Sequence, residues 1–501
     1  MTEGPGKGRE AVGVAAAAIG SLGRSASDAL TKALGGAERT RVIVLLASVL
    51  ALSSADASTV GASATPLRHA LHITNTDIGL LVTVTSLVAA IASLPFGVLA
   101  DRVRRTWILG AAIVLWGAAM IWSATVSSFG ELLLARLFLG AVTAAAGPMV
   151  ASLVGDYFPA YERGRIYGYI LAGELAGAGI GFAVTGDIAT LSFRAAFVLL
   201  ALPAFVLAWL VFRLPEPRRG GRDALVHPEA RPEDHQPGEE GPRETDAQRL
   251  SRERGLEPDP DLVLHGDPRR LGLIEATRYI LRIRTNIVLI LASAFGYYFL
   301  AGVQTFGVEF VTKQYGIDQA LGTLVLLVVG GGAVAGVLAA GSIGDLLLRR
   351  GYLKGRILVA AIAATAAVVL FVPAIFTRSA VTALPYITFA ALCLSAQNPP
   401  VDAARLDIMV PLLWGRAEGV RTFLRTSAMA LAPLVFGAVS DHVFGGGRSG
   451  LQWTFAVMLV PLAASAWFLW RGLGTSPRDV ATAAASTRRP AADDAAVGRA
   501  T

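Results

Sequence analysis

The sequence predicts an all-α membrane protein of twelve transmembrane helices, arranged as two six-helix pseudo-repeats. Three observations carry that prediction. Of 501 residues, 54% are hydrophobic and only 16% charged, with a mean hydropathy of +0.56; a soluble domain of this length carries far more charge. Apolar stretches of membrane-spanning length recur from Arg41 onward, in the order six, polar interval, six. Basic residues crowd alternate joints between those stretches and are sparse in the others.

Taken in order, residues 1–40 are rich in Ala and Gly and read as a cytoplasmic tail. Lys7 and Arg9 ahead of 11–20 imitate a signal peptide only faintly, because the apolar part is mostly Ala and Gly. The first six spans fall near 42–64, 77–100, 106–125, 130–155, 165–188 and 194–213, giving a first bundle over 41–213. Residues 214–270 are rich in Pro, Glu, Arg and Gly, too polar to bury a core. Residues 271–284 alternate apolar positions with Arg278, Arg282 and Arg284, the pattern of an amphipathic helix on a membrane face. The interval 214–285 is therefore a linker carrying one amphipathic helix. Six further spans, near 286–312, 319–344, 356–377, 380–402, 419–440 and 452–471, make a second bundle over 286–471, and 472–501 is a tail. The 54 glycines suit helices that pack closely in lipid. The single cysteine, Cys393, excludes an intramolecular disulfide framework and any multi-Cys metal site.

Joints 2–3 (Arg102, Arg104, Arg105), 4–5 (Arg163, Arg165), 8–9 (Arg349, Arg350, Lys354, Arg356) and 10–11 (Arg405, Arg416, Arg421) are basic; the opposite joints are not. The basic side faces the cytoplasm, so both termini and the linker lie inside, in the inner (plasma) membrane. A net charge of +7 and pI near 9.7 therefore report topology rather than nucleic-acid binding. The halves repeat in detail. Gly97-Val-Leu-Ala-Asp101-Arg102-Val-Arg104-Arg105 closes span 2, and Gly341-Ser-Ile-Gly344-Asp345…Arg349-Arg350 closes span 8. Asp156…Pro159…Glu162-Arg163-Gly164-Arg165 follows span 4, and Asp407…Pro411…Arg416-Ala-Glu418-Gly419-Val-Arg421 follows span 10. Parallel six-helix repeats imply two bundles rocking about a site between them.

Twelve spans, the long 6–7 linker and Gly97…Asp101-Arg102…Arg104-Arg105 resemble the major facilitator superfamily (MFS) and its loop 2–3 signature; Gly341–Arg350 resembles the weaker second-half copy. Arg136-Leu-Phe-Leu-Gly140 is similar to its span 4 Arg-x-x-x-Gly motif. Within the superfamily the first half is most similar to the spinster-like branch of lysolipid and sphingolipid exporters, through Asp56, Thr59-Val60-Gly61, Arg136, Gly140 and Asp156-Tyr157-Phe158. It departs from that branch at Ala57, where an Arg is usual, at Thr143, where a Glu is usual, and at Pro148, one turn ahead of the expected position. The resemblance implies alternating access through a cavity lined by spans 1, 4, 5, 7, 10 and 11. It implies a secondary active transporter, not an enzyme, driven by a proton gradient with no bound cofactor or metal. Its partners would be a small-molecule substrate and the lipid bilayer, without nucleic acid, and the chain would act as a monomer.

An ionisable side chain inside a span is a functional candidate because unpaired charge there is costly. Asp56 lies about 12 Å and Arg136 about 9 Å from the outer ends of spans 1 and 4 at ~1.5 Å per residue, so the two can pair. Asp56 then alternates between a proton and the Arg136 guanidinium, unless the pair is a static tie between helices. Glu174 lies near the middle of span 5 among Gly173, Gly177, Gly179 and Gly181 and is a third coupling candidate, or a protonated acid bonded across a helix pair. Thr143, Gln304 and Asn398 are the candidate substrate contacts, with Pro399-Pro400 expected to break span 10. The gating candidates are Gly97, Asp101, Arg102, Arg105, Asp345 and Arg349. Asp101 is expected to cap or pair with span 11 near Arg421 or Arg425, with Gly97 admitting that span. The Asp345 copy, whose basic pair is delayed to Arg349, is expected to hold more loosely. The cavity's shortage of fixed polar groups suits efflux of an amphipathic or hydrophobic solute, drug-like or lysolipid-like, by proton antiport. Proton-driven import of an organic anion held by Arg136, and a non-transporting receptor or scaffold, are the alternatives.

Overall fold

A computed structural model describes residues 31, 34–73, 75–219, 244–445 and 447–488. Among them the chain is helical throughout, without a strand. The spans are, in order, Ala37–Ala62, Asn75–Arg102, Arg105–Thr125, Phe129–Tyr157, Arg163–Leu191 and Phe193–Phe212. The second half has Arg284–Tyr315, Gln319–Arg349, Gly355–Phe376, Ala380–Asp407, Trp414–Ala438 and Gly447–Arg488. Among the described residues, eleven helices are long and apolar enough to cross a membrane. The twelfth is span 5, a 29-residue helix packed lengthwise between spans 1 and 8. Its Gly173, Gly177 and Gly181 face Ala47, Ala51 and Ala55 of span 1 so closely that any Cβ would collide with that backbone or side chain. This is the small-residue packing that apolar helices need in lipid, where apolar burial offers no drive.

Spans 4 and 10 break where proline removes a backbone donor. Span 4 turns at Ala144–Ala145, ahead of Pro148, and span 10 at Gln397, ahead of Pro399 and Pro400. The second half also holds an aromatic core in which Phe299, Phe371, Phe436 and Phe455 pack edge to face.

The linker departs from expectation. Residues 220–243 lie outside the described residues, but 244–272 fold against the basic face of the bundle. Thr245 and Gln248 form a capping box that opens the helix Asp246–Glu253, and Gln248 donates to the Asp407 carbonyl at 3.2 Å. The N–H groups of Asp259 and Leu264 donate to the hydroxyls of Thr482 and Ser486. Those hydroxyls exist as partners because span 12 continues as helix to Arg488 rather than ending near 471. Composition hid this because the segment is held by polar ties, not by an apolar core. The amphipathic helix forms over Leu273–Arg282 and buries Ala276 and Ile280.

Candidate functional site

Among the described residues, the two halves meet tightly at the basic end. Residues 414–421 of span 11 are buried on every face of the helix, whereas 422–430 all keep partial exposure. The seam is thus sealed at the basic end and open above it.

On the opposite side, span 1 brings Asp56 to Arg136 of span 4, with Arg136 Nη1 donating to Asp56 Oδ1 at 2.9 Å. Both are buried, and the guanidinium lies 4.7 Å from the Phe197 ring centroid. Its Nε and Nη2 have no hydrogen-bond partner. A buried guanidinium with one carboxylate and two nitrogens without a partner is not fully satisfied.

At mid-depth Glu174 accepts from the Ser54 hydroxyl and lies within electrostatic reach of Arg425 of span 11, both about 16 Å from the basic ends of their helices at ~1.5 Å per residue. Arg425 lies 4.5 Å from the Tyr297 ring centroid, and its Nε has no partner. Below it sits a network invisible as such in the sequence: Arg421 bonds Asp402 at 2.6 Å and Glu418 at 2.7 Å, and Arg405 bonds Glu418 at 2.6 Å. The sequence registered Arg405 as a topology marker, and Arg421 as a topology marker and an expected partner of Asp101. Their signal was the i,i+3 pairing of opposite charges, Asp402 with Arg405 and Glu418 with Arg421.

The three substrate candidates are not gathered. Thr143 donates to the Gly140 carbonyl and lines, with Ser53 and Trp116, a cavity of ≈ 30 Å³ inside the first half, room for water only. Gln304 is exposed, about 30 Å along span 7 from its basic end, whereas Asn398 is half-buried about 14 Å from the basic end of span 10. Beside Asn398, the buried Gln397 accepts from Ser465 of span 12 and donates to Leu394.

Of the gating candidates, Gly97, Asp101 and Asp345 sit at two contacts between the halves. Asp101 accepts from the N–H groups of Gly415 (2.8 Å) and Arg416 (3.0 Å) and from Arg416 Nε (2.7 Å), capping the N-terminus of span 11. Its partner is therefore Arg416, not Arg421 or Arg425, which lie more than a turn deeper. Gly97 permits the approach: a Cβ there would sit 2.8 Å from the Gly415 carbonyl oxygen. Asp345 does the same to span 5, accepting from the N–H groups of Gly164 (3.1 Å) and Arg165 (2.7 Å), while Gly341 abuts the Gly164 backbone. The cation at this copy is Arg356 rather than the expected Arg349. Arg356 bonds Asp345 at 2.6 Å, Asp407, and the Ala160 carbonyl of the first half. Arg349 is half-exposed at 3.6 Å from Glu162. Arg105 is tied within its own half to Asp156, Glu216 and the Ser152 hydroxyl, and Arg102 reaches the linker carbonyls of Arg269 and Leu271.

The repeat also has a different register from the one its Glu, Gly and Arg suggest. Arg105 and Arg356, Asp156 and Asp407, and Gly164 and Gly415 share one offset (356 − 105 = 251). Gly164 thus matches Gly415, one helical turn before Gly419. By that offset Arg163 matches Trp414, and the two stack at 4.8 Å. Arg163 donates to the Gly155 and Phe158 carbonyls and Trp414 to those of Leu406 and Met409, equivalent positions again. Glu174 matches Arg425 (425 − 174 = 251).

The family model for the Major Facilitator Superfamily matches residues 44–433. A probable L-galactonate transporter of Escherichia coli is 30% identical over 142 residues, 28% of this chain and 31% of that protein. Protein spinster of Drosophila melanogaster is 24% identical over 190 residues, 38% of this chain and 31% of that one. These matches span about a third of each relative's length. Among solved structures, the E. coli fucose:proton symporter superposes with a TM-score of 0.62 at 14% identity, covering 86% of this chain and 98% of that chain. A bacterial homologue of the human lysosomal transporter Spinster superposes at 0.55 and 19%, covering 88% and 98%.

Proposed function

From the premise that the chain belongs to the major facilitator superfamily and is a membrane transporter rather than an enzyme, we propose that it exports an amphipathic or hydrophobic small molecule by proton antiport. The basic face lies in the cytoplasm, and access alternates between the two sides. The observation that carries this reading is the buried Asp56–Arg136 pair, whose guanidinium keeps two N–H groups unpartnered.

Protonation of Asp56 from the outer side removes the charge that holds Arg136, so proton binding and the packing of spans 1 and 4 change together. Glu174 relays the same event to the second half through the field of Arg425 on span 11. Likenesses to protein spinster and, over 154 residues, to a quinolone resistance protein of Staphylococcus aureus support a drug-like or lysolipid-like cargo.

The test is flux of a lysolipid, a quinolone, a sugar acid and a sugar in proteoliposomes with an imposed pH gradient. Export of an amphipathic solute that stops when the gradient is collapsed, and falls at least about tenfold in Asp56→Asn, bears the proposal out; a tenfold loss is ~1.4 kcal/mol. Unchanged gradient-driven flux in Asp56→Asn overturns it. Import of an organic anion is the second reading, favoured by Arg425, whose Nε is unpartnered beside the open seam. Acid outside would then drive uptake of the sugar acid.

A further inference from the structure

The helix Leu273–Arg282 ends one residue before span 7 begins at Arg284, so covalent continuity holds it at the membrane face. Ala276, Ile280 and Ile283 are wholly buried against the ends of spans 2, 7 and 11. The opposite face repeats every four residues as Ile274, Arg278 and Arg282. All three are exposed, Ile274 to 75%, with Leu273 and Arg284 beside them. An exposed isoleucine next to exposed guanidiniums on an in-plane helix matches the boundary between acyl chains and headgroups, where arginine stems lie along apolar surface and their charges reach phosphate. Glu275 is turned back to cap its own helix through the Gly272 N–H.

Two residues before this helix lies a joint between the halves. The Leu271 carbonyl accepts from Arg102 of span 2 at 3.1 Å and from Arg416 of span 11 at 3.0 Å. Arg102 also holds the Arg269 carbonyl, and Arg416 also holds the Pro268 carbonyl. Arg416 is the same side chain that closes on Asp101. One linker carbonyl is thus gripped from both sides of the seam, and parting the cytoplasmic ends must release one grip.

We propose that anionic phospholipid of the inner leaflet binds the Ile274–Arg278–Arg282 face and, by seating the segment 268–272, stabilises the state with the cytoplasmic side closed. The occupant is anionic lipid rather than a protein, because the patch is basic, narrow and fixed at membrane level by span 7. Each basic group near an anionic surface changes such an equilibrium by about fivefold.

The experiment places spin labels on Arg104→Cys and Tyr352→Cys in a Cys393→Ser background, and compares full-length protein in phosphatidylcholine vesicles with the same protein in a phosphatidylcholine–phosphatidylglycerol mixture. Phosphatidylglycerol is expected to enrich the short, closed distance severalfold in the parent. The enrichment should vanish in Arg278→Gln/Arg282→Gln, and Arg278→Lys/Arg282→Lys should restore it. Equal populations in both vesicles, or an enrichment that persists in the Gln pair, overturns the proposal; the second outcome places the lipid elsewhere on the basic face. None of these residues lies in the coupling pairs, so failure of proton-driven flux would leave this result standing.

Discussion

The latches at Asp101 and Asp345 perform the same cap on opposite sides of one seam, yet they are wired differently. Asp101 finds its only cation, Arg416, in the other half. Asp345 finds its cation, Arg356, in its own half, and that guanidinium also holds Asp407. The counterpart of Arg356 is Arg105, which bonds Asp156 and substitutes Glu216 for the missing Asp101 contact. Parting the basic ends of the two halves would separate a buried ion pair at Asp101, whereas Asp345 would keep its arginine and lose two backbone donors.

The largest effect expected is steric. A side chain at Gly341 collides with the Gly164 backbone more severely than one at Gly97 meets Gly415. Gly341→Val should abolish closure and reduce transport to background, and Gly97→Val should retain some of each. Cross-linking across spans 5–8 and 2–11 reads both. Asp101→Ala comes next. It leaves Arg416, 1% exposed, without a counter-ion, at a cost of about 3 kcal/mol, or roughly 10² in the closed-to-open ratio. Thiol labelling of cysteines on the cytoplasmic ends measures it. Asp345→Ala should cost about 1.4 kcal/mol, near tenfold, because Arg356 retains Asp407. Equal shifts in the two alanine variants would erase the distinction between the latches.

The smallest effect belongs to Glu216. Partial burial pushes its carboxyl up, but the Thr106 N–H and the Arg105 guanidinium outweigh burial and hold it below the ordinary carboxylate range. A folded pKa lowered in this way adds stability that is fully present above the unfolded value of about 4.3 and is lost as pH falls through the folded value. Glu216→Gln should lower Tm by a constant amount above about pH 5, with the gap closing at lower pH. A gap that widens on acidification would mean that Glu216 is not the group supporting Arg105.

Much of this was legible in the sequence. Span number, the side on which basic joints cluster, the Asp56–Arg136 pairing and the approach of span 11 to Gly97 follow from hydropathy, charge placement and helical rise. What was hidden depends on the relative register of distant helices. Arg416 outranks Arg421 and Arg425 because the cap requires a residue in the first turn of span 11, and the start of that helix at Trp414 was not evident from hydropathy. Arg356 was overlooked because it opens span 9 rather than ending span 8. The repeat was read one turn out because Glu418 and Arg421, an i,i+3 ion pair, mimic Glu162 and Arg165. Glu174 was visible as an acid within a span, but the nearby cation, Arg425, occupies the matching position of the other half, which no local pattern reveals.

The central claim is that protonation inside the bundle governs whether the cytoplasmic ends are together. The direct measurement is the distance between labels at positions 104 and 352, taken at acid and at alkaline pH, in the parent and in Asp56→Asn. Two populations are expected in the parent, exchanging weight with pH, and the exchange should be lost in Asp56→Asn. A single distance indifferent to pH, or an unchanged pH response in Asp56→Asn, would contradict the account.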